Sequence, residues 1–227
     1  SHALIGGIVS AVIAKSGASS LIAGGILKTV LFIFLSPLLG FLLGSLLMVL
    51  VANLCRRTSP LRVDNLFRRL QLISAGLYSL GHGGNDAQKT IGIIWMLLIA
   101  TNYASAADSL PPSWVIWACY LAIGAGTMFG GWRIVKTMGQ KITKLKPVGG
   151  FCAETGGAIT LFTATAMGIP VSTTHTITGA IVGVGAAKKF NAVRWGVAGG
   201  IVWAWILTIP CSAFMAAVAW WVSQQIF

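Results

Sequence analysis

An all-α polytopic membrane fold is what these 227 residues predict, and three observations carry the prediction. Apolar side chains make up 56% of the chain and charged ones only 9%, against roughly 25% charged in a soluble globular protein. The 16 Lys and Arg residues fall in bunches between long uncharged runs, while Asp and Glu number only four. Residues 174–227 also repeat residues 1–54. A net charge of +12 would point to nucleic acid in a soluble protein. Here the bunching follows the positive-inside rule of membrane topology, so no nucleic-acid partner is called for. The 28 glycines fit the same class, since Gly is more frequent in membrane-spanning helices than in soluble ones.

Taken in chain order, residues 1–54 read as one hairpin arm followed by a long crossing, Leu21 to Leu54, kinked at Pro37. Arg56, Arg57, Arg62, Arg68 and Arg69 mark residues 55–69 as a basic cytoplasmic loop. An outward crossing then runs from about 70 to 101 and is interrupted in its middle by Gly81-His82-Gly83-Gly84-Asn85-Asp86. Such a stretch is tolerable at membrane depth only beside protein or water, which predicts a broken helix. After a short loop holding Asp108, Pro111 and Pro112, the run from Trp114 to Trp132 returns to the basic cluster Arg133, Lys136, Lys141, Lys144 and Lys146.

The next stretch is apolar from 149 to 168 except for Glu154, is interrupted at Gly168–His175, and resumes for only a dozen residues, Thr176–Ala187. Spanning a bilayer takes about 20 residues. Both flanks are basic, since Lys188, Lys189 and Arg194 follow. A re-entrant hairpin with its Pro-Ser-Thr-Thr tip at membrane depth satisfies length and charge together. The last run, Trp195–Phe227, is long enough for one crossing kinked at Pro210. Trp114, Trp117, Trp132, Trp195, Trp220 and Trp221 gather near span ends as interfacial anchors.

The repeat has a fixed register of 173 residues: Thr174-His175-Thr176-Ile177-Thr178-Gly179 lies over Ser1-His2-Ala3-Leu4-Ile5-Gly6, Lys188 over Lys15 and Pro210 over Pro37. If each copy holds one crossing, the two copies point opposite ways. That is the inverted-repeat plan of secondary transporters, with a site at the midplane between broken helices. Residues 1–54 are then the C-terminal part of a first repeat and 70–227 a second inverted repeat, so the chain reads as a C-terminal fragment of a longer protein.

The two interruptions are each followed by a helical run, at Ala87 and at Thr176, and Asn, Asp, Ser and Thr are the residues that precede helices. Two helix N-termini facing the membrane interior present unpaired N–H donors and partial positive charge, which suits a tetrahedral oxyanion. Asp86 would repel that anion, so a cation belongs at the same place, and Glu154 is a second carboxylate for it. The plainer alternatives are that Asp86 is an N-cap or pairs with Lys89, and that Glu154 reaches interfacial water. His82, His175 and His2 read as ligands, proton carriers or hydrogen-bonded spacers. Cys55, Cys119, Cys152 and Cys211 are isolated singles, without the spacing of a zinc site and with no disulfide expected. No G-x-S-x-G, G-x-x-x-x-G-K-[ST] or H-E-x-x-H motif occurs, and no cofactor is called for.

Gly81-His82-Gly83-Gly84-Asn85-Asp86-Ala87-Gln88-Lys89-Thr90 and Pro170-Val171-Ser172-Thr173-Thr174-His175-Thr176 closely resemble the two signatures of the PiT family of inorganic phosphate transporters. The resemblance covers nearly the whole chain. It implies an inverted-repeat permease that moves phosphate with a coupling cation, Na⁺, H⁺ or a metal travelling with phosphate. Carried over residue by residue, it implies phosphate binding by Asn85, Ser172, Thr173 and Thr174, and the coupling cation at Asp86. Gln88 and Glu154 are weaker transfers, Glu154 being the second carboxylate for the coupling cation, and His175 and Ser1 are further candidate site residues, Ser1-His2 standing where the first repeat's hydroxyl tip would end. The first repeat's Asn-Asp loop is missing from the chain, so the N-terminal part of the same transporter is an expected partner, with a homo-oligomer left open. The location expected is a plasma or inner cell membrane, with basic loops in the cytoplasm. An anion channel and, less well supported, a membrane-embedded phosphohydrolase are the rival readings.

Overall fold

The computed structural model describes residues 2–105, 107–131 and 136–226. Among these the protein is a bundle of seven α-helices: α1 His2–Ser16, α2 Ala23–Leu54, α3 Pro60–Ala100, α4 Ser113–Gly130, α5 Pro147–Ala166, α6 Thr173–Lys188 and α7 Trp195–Ile226. Three of them, α2, α4 and α7, are long and apolar enough to cross a membrane. The 32 residues of α2 and of α7 give each a length of about 48 Å, more than the hydrocarbon thickness of about 30 Å. Their interior prolines, Pro37 and Pro210, occupy the same place in the repeat. Large apolar side chains such as Phe34, Leu46, Trp203 and Phe214 lie exposed along them, a surface that suits lipid.

The expected break in the outward crossing is not there: α3 runs without interruption through Gly81–Asp86. Inside a bilayer an unbroken helix keeps every backbone group paired within the segment. The polar side chains that suggested a break instead bond one another along one face, at the i,i+3 and i,i+4 spacings that support a helix. Gly83 and Gly84 meet nothing within 4 Å, so neither marks a turn. Only one helix N-terminus, that of α6, therefore reaches the site, rather than two. The loop expected over 55–69 is also shorter: Ser59 is extended, Pro60 takes the first helical position, where its missing N–H costs nothing, and Arg62, Arg68 and Arg69 are helical.

Helices α5 and α6 form the hairpin read from the sequence, its two arms packed between α2 and α3. Its turn has a definite chemistry. Gly168 takes φ +65°, its N–H bonds Thr165 O at 3.0 Å, and the N–H of Ile169 bonds Ala164 O at 3.0 Å, the Schellman closure of a helix C-terminus. Ile169 and Val171 then bury against Leu161 and Ala164, and Pro170 prevents α5 from continuing.

The packing between the two copies is reciprocal: α6 lies against α2, and α1 lies against α7. Gly179 sits on the Pro37 carbonyl and Gly183 on that of Phe41, while their counterparts Gly6 and Ser10 sit on Ile209 and Ala213, within one residue of the same register. Small residues at these positions let helix backbones touch, the usual basis of helix association in lipid. His2 and His175, also counterparts, meet each other with ring centroids 4.1 Å apart.

Candidate functional site

Helix α3 carries two polar clusters facing the hairpin. The first is at Glu154, eight residues into α5. Ser74 Oγ donates to Glu154 Oε2 at 2.6 Å, and the Gln71 amide donates to Oε1 at 3.4 Å. Gly150 makes room for Gln71 and Gly157 for Tyr78, so the packing of α3 on α5 at this level depends on side chains of zero volume. Glu154, half-buried, is thus hydrogen-bonded to two side chains of α3.

The second cluster lies further along α3, Asp86 being about three turns, or about 18 Å along the axis, from Ser74. Asp86 Oδ1 pairs with Lys89 Nζ at 2.6 Å, and Oδ2 pairs with His82 Nε2 at 3.0 Å and accepts from Thr173 Oγ1 at 3.2 Å. Lys89, only 12% exposed, donates at 2.7 Å to the carbonyl of Val171 in the hairpin turn as well. Tyr78 Oη donates to the carbonyl of Thr173 at 3.0 Å. Two α3 side chains therefore grip backbone carbonyls of the tip on either side of Ser172. Asn85 is buried, its amide donating to Thr165 Oγ1 at 3.3 Å and its carbonyl oxygen left without a hydrogen bond. Ser172 stands at the N-cap of α6, but its side chain makes no cap bond. The hydroxyl and the first N–H groups of the helix are consequently not consumed by one another, a setting suited to an anion.

A model of the phosphate transporter family matches residues 54–216, most of the chain and both clusters. The chain belongs to the phosphate transporter family. Over its whole length it is 58% identical to a protein of Rhizobium meliloti (strain 1021) and 42% identical to one of Bacillus subtilis (strain 168), each named a probable low-affinity inorganic phosphate transporter. It covers 67% and 68% of those two relatives, and 55% of a relative of the same name from Mycobacterium leprae (strain TN) that is 41% identical. Among solved structures, the sodium-dependent phosphate transporter matches all of this chain and 65% of that one with a TM-score of 0.66 at 24% identity, which establishes a shared fold. The chain is therefore a membrane protein of a family of transporters, not enzymes, and the hydrolase reading falls away.

Set within this phosphate transporter fold, the expected site residues separate. Asp86 and Thr173 meet, Ser172 being the residue before Thr173 at the N-cap of α6, while Asn85 bonds Thr165 near the end of α5. Thr174, one helical step on, is exposed instead, and Gln88 is exposed outside the cluster on α3. Glu154 occupies a cluster of its own. His175 is turned away from Asp86: buried between His2 and Trp205, it stacks on the indole at 3.6 Å, with Nδ1 lacking a hydrogen-bond partner. Ser1 lies outside the described residues. Tyr78, Ser74, Gln71 and Thr165 were not singled out in the sequence. Tyr78, Ser74 and Gln71 signal themselves only as polar residues in an apolar run on the same helix as His82 and Asn85, and Thr165 has no such signal. Among the described residues no group of three His, Cys, Asp or Glu side chains suits a metal ion.

Proposed function

We propose that the complete protein carries inorganic phosphate across a cell membrane together with a cation, phosphate being bound where Asn85 and Asp86 of α3 face Ser172 and Thr173 at the start of α6. The observation that supports this most directly is the meeting of Asp86 with Thr173, 87 residues apart, at the N-terminus of a buried helix, while the neighbouring Asn85 bonds Thr165 near the end of α5. Asn85 supplies an amide, Ser172 and Thr173 supply hydroxyls, and the α6 N–H groups supply donors and partial positive charge. Asp86 and Glu154 are the carboxylates available to hold or exchange the coupling charge, as intramembrane acids in transporters do. The names of the relatives, inorganic phosphate transporters, favour phosphate over other oxyanions.

The relatives exceed this chain by about a third of their own length. On the two-copy plan, that remainder supplies counterparts of α3 and α5 that complete the site from the other side. The charge pattern supports cytoplasmic placement of Arg62, Lys141 and Lys189, in a plasma or inner membrane. Uptake of labelled phosphate by vesicles containing the complete protein, with Na⁺ and H⁺ gradients imposed separately, tests the reading. Accumulation driven by one gradient is the expected result. A conductance that carries phosphate passively with no gradient coupling would establish a channel and overturn it.

A further inference from the structure

Asp86 does not face an empty place. The ammonium of Lys89 lies 2.6 Å from its Oδ1 and 2.7 Å from the carbonyl oxygen of Val171, and the Thr173 hydroxyl closes on Oδ2 of the same carboxylate. Val171 belongs to the non-helical stretch between α5 and α6. A carboxylate with an unwound backbone carbonyl and a hydroxyl is the oxygen set with which transporters hold a small hard cation. Here a nitrogen of the protein itself sits between those oxygens, on a stem rooted one turn further along the helix that carries Asp86.

We propose that Lys89 is a tethered cation that fills this place permanently, making the Asp86 side of the site indifferent to sodium and other alkali-metal ions. The inference rests on the reading of Asp86 as part of the phosphate site. It narrows that reading: the positive charge beside Asp86 is built in, and the charge that travels with phosphate is handled elsewhere. Three features support it. Lys89 is mostly buried, so its charge is not spent on solvent. It spans from α3 to the hairpin turn, holding both in the arrangement that a bound ion would otherwise impose. His82 satisfies part of the other carboxylate oxygen, leaving Oδ1 to Lys89. A lysine brings one positive charge with a fixed reach, whereas a diffusible ion must be captured in each cycle.

The test uses the complete transporter, purified in detergent and reconstituted into vesicles. Any sodium-dependent rise in melting temperature of the native protein should come from elsewhere, so it should be unchanged in Lys89→Arg and in Asp86→Asn. Lys89→Asn and Lys89→Gln remove the charge and open the oxygens. Their melting temperature should rise saturably with sodium but not choline beyond any native response, and their phosphate uptake should rise about tenfold between sodium at a tenth of its Kd and saturation. A saturable sodium shift in the native protein that is lost in Asp86→Asn but kept in Glu154→Gln would overturn the proposal. So would the absence of any sodium response in either neutral variant when both elute as folded, monodisperse protein. The melting measurement needs no phosphate, so native protein that fails to transport phosphate would sink the transport reading and leave the Lys89 assignment to be decided by the sodium shifts alone.

Discussion

Replacing Gly179 by alanine tests whether the α2–α6 contact sets the position of the hydroxyl tip. A Cβ at 179 would collide with the Pro37 carbonyl oxygen and lie 2.8 Å from its carbon and 2.9 Å from its Cα, all backbone atoms that no rotamer can move. The two helices must separate or slide. Overpacking of this kind costs about 1–3 kcal/mol, while Gly→Ala inside a helix returns about 0.8–1.0 kcal/mol in propensity. The net loss is about 0–2 kcal/mol, which for a chain of this size lowers the melting temperature by up to about 8 °C. Gly76→Ala is the matched control: it is in α3, exposed, with nothing within 4 Å, so only the propensity gain applies and its melting temperature should be unchanged or slightly raised. Both variants of the complete protein would be melted in detergent and assayed for phosphate uptake. Because α6 carries Thr173 at its first turn, Gly179→Ala should also weaken phosphate uptake, and Gly76→Ala should not. A Gly179→Ala protein that melts at or above the native temperature would show that the close approach of α6 to α2 is not what holds the hairpin.

Asp86→Asn keeps the size of the side chain but leaves Lys89 without its carboxylate, so phosphate uptake should fall to background while gel filtration shows folded protein; normal uptake would make Asp86 structural. Replacing Ser172 and Thr173 together by Ala removes two donors at about 1.5–3 kcal/mol each to a charged group, so phosphate affinity measured by isotope binding should drop at least about tenfold. Cysteines placed at Arg62, Lys141 and Lys189 should be labelled by an impermeant thiol reagent only from the cytoplasmic side, and one at Asp108 only from outside; labelling at 141 from outside would break the re-entrant hairpin.

The hairpin shows why some of this architecture is legible in the sequence and some is not. The interruption read at Gly168–His175 is a local signal that acts within a few residues, and α5 ends and α6 begins around it. The two motifs that the sequence singled out do meet, Asp86 of one with Thr173 of the other. The break expected in α3 failed because glycine and polar residues were counted as interruptions without asking which faces they share. His82, Asp86 and Lys89 lie at i, i+4 and i+7, a helix face rather than a loop. The distinction between Thr173 and Thr174 is likewise a matter of about 100° of helical rotation, which fixes one against Asp86 and exposes the other. Glu154 could not be assigned a partner beforehand, since Gln71 and Ser74 reach it only through the packing of α3 on α5.

The repeat supplies the long-range information that local signals lack. In two copies of one segment that pack on each other reciprocally, most residues meet residues from elsewhere in the other copy. Only a position near the axis relating the copies meets its own counterpart. His2 and His175 do so, and Ile33 and Ile206, counterparts in the same register, line one cavity between α2 and α7. The histidines are buried, and His175 gains the stacked face of Trp205. Their burial is thus a consequence of where the register places them. The Asp86 cluster lies off that contact, on α3, which has no counterpart within this chain; α6 packs against α2 and bears Thr173, so the copy-to-copy interface and the polar site share a helix. Helix α6, sixteen residues long, thus bears both the packing against α2 and the hydroxyl of Thr173, so the position of Thr173 depends on how the copies pack.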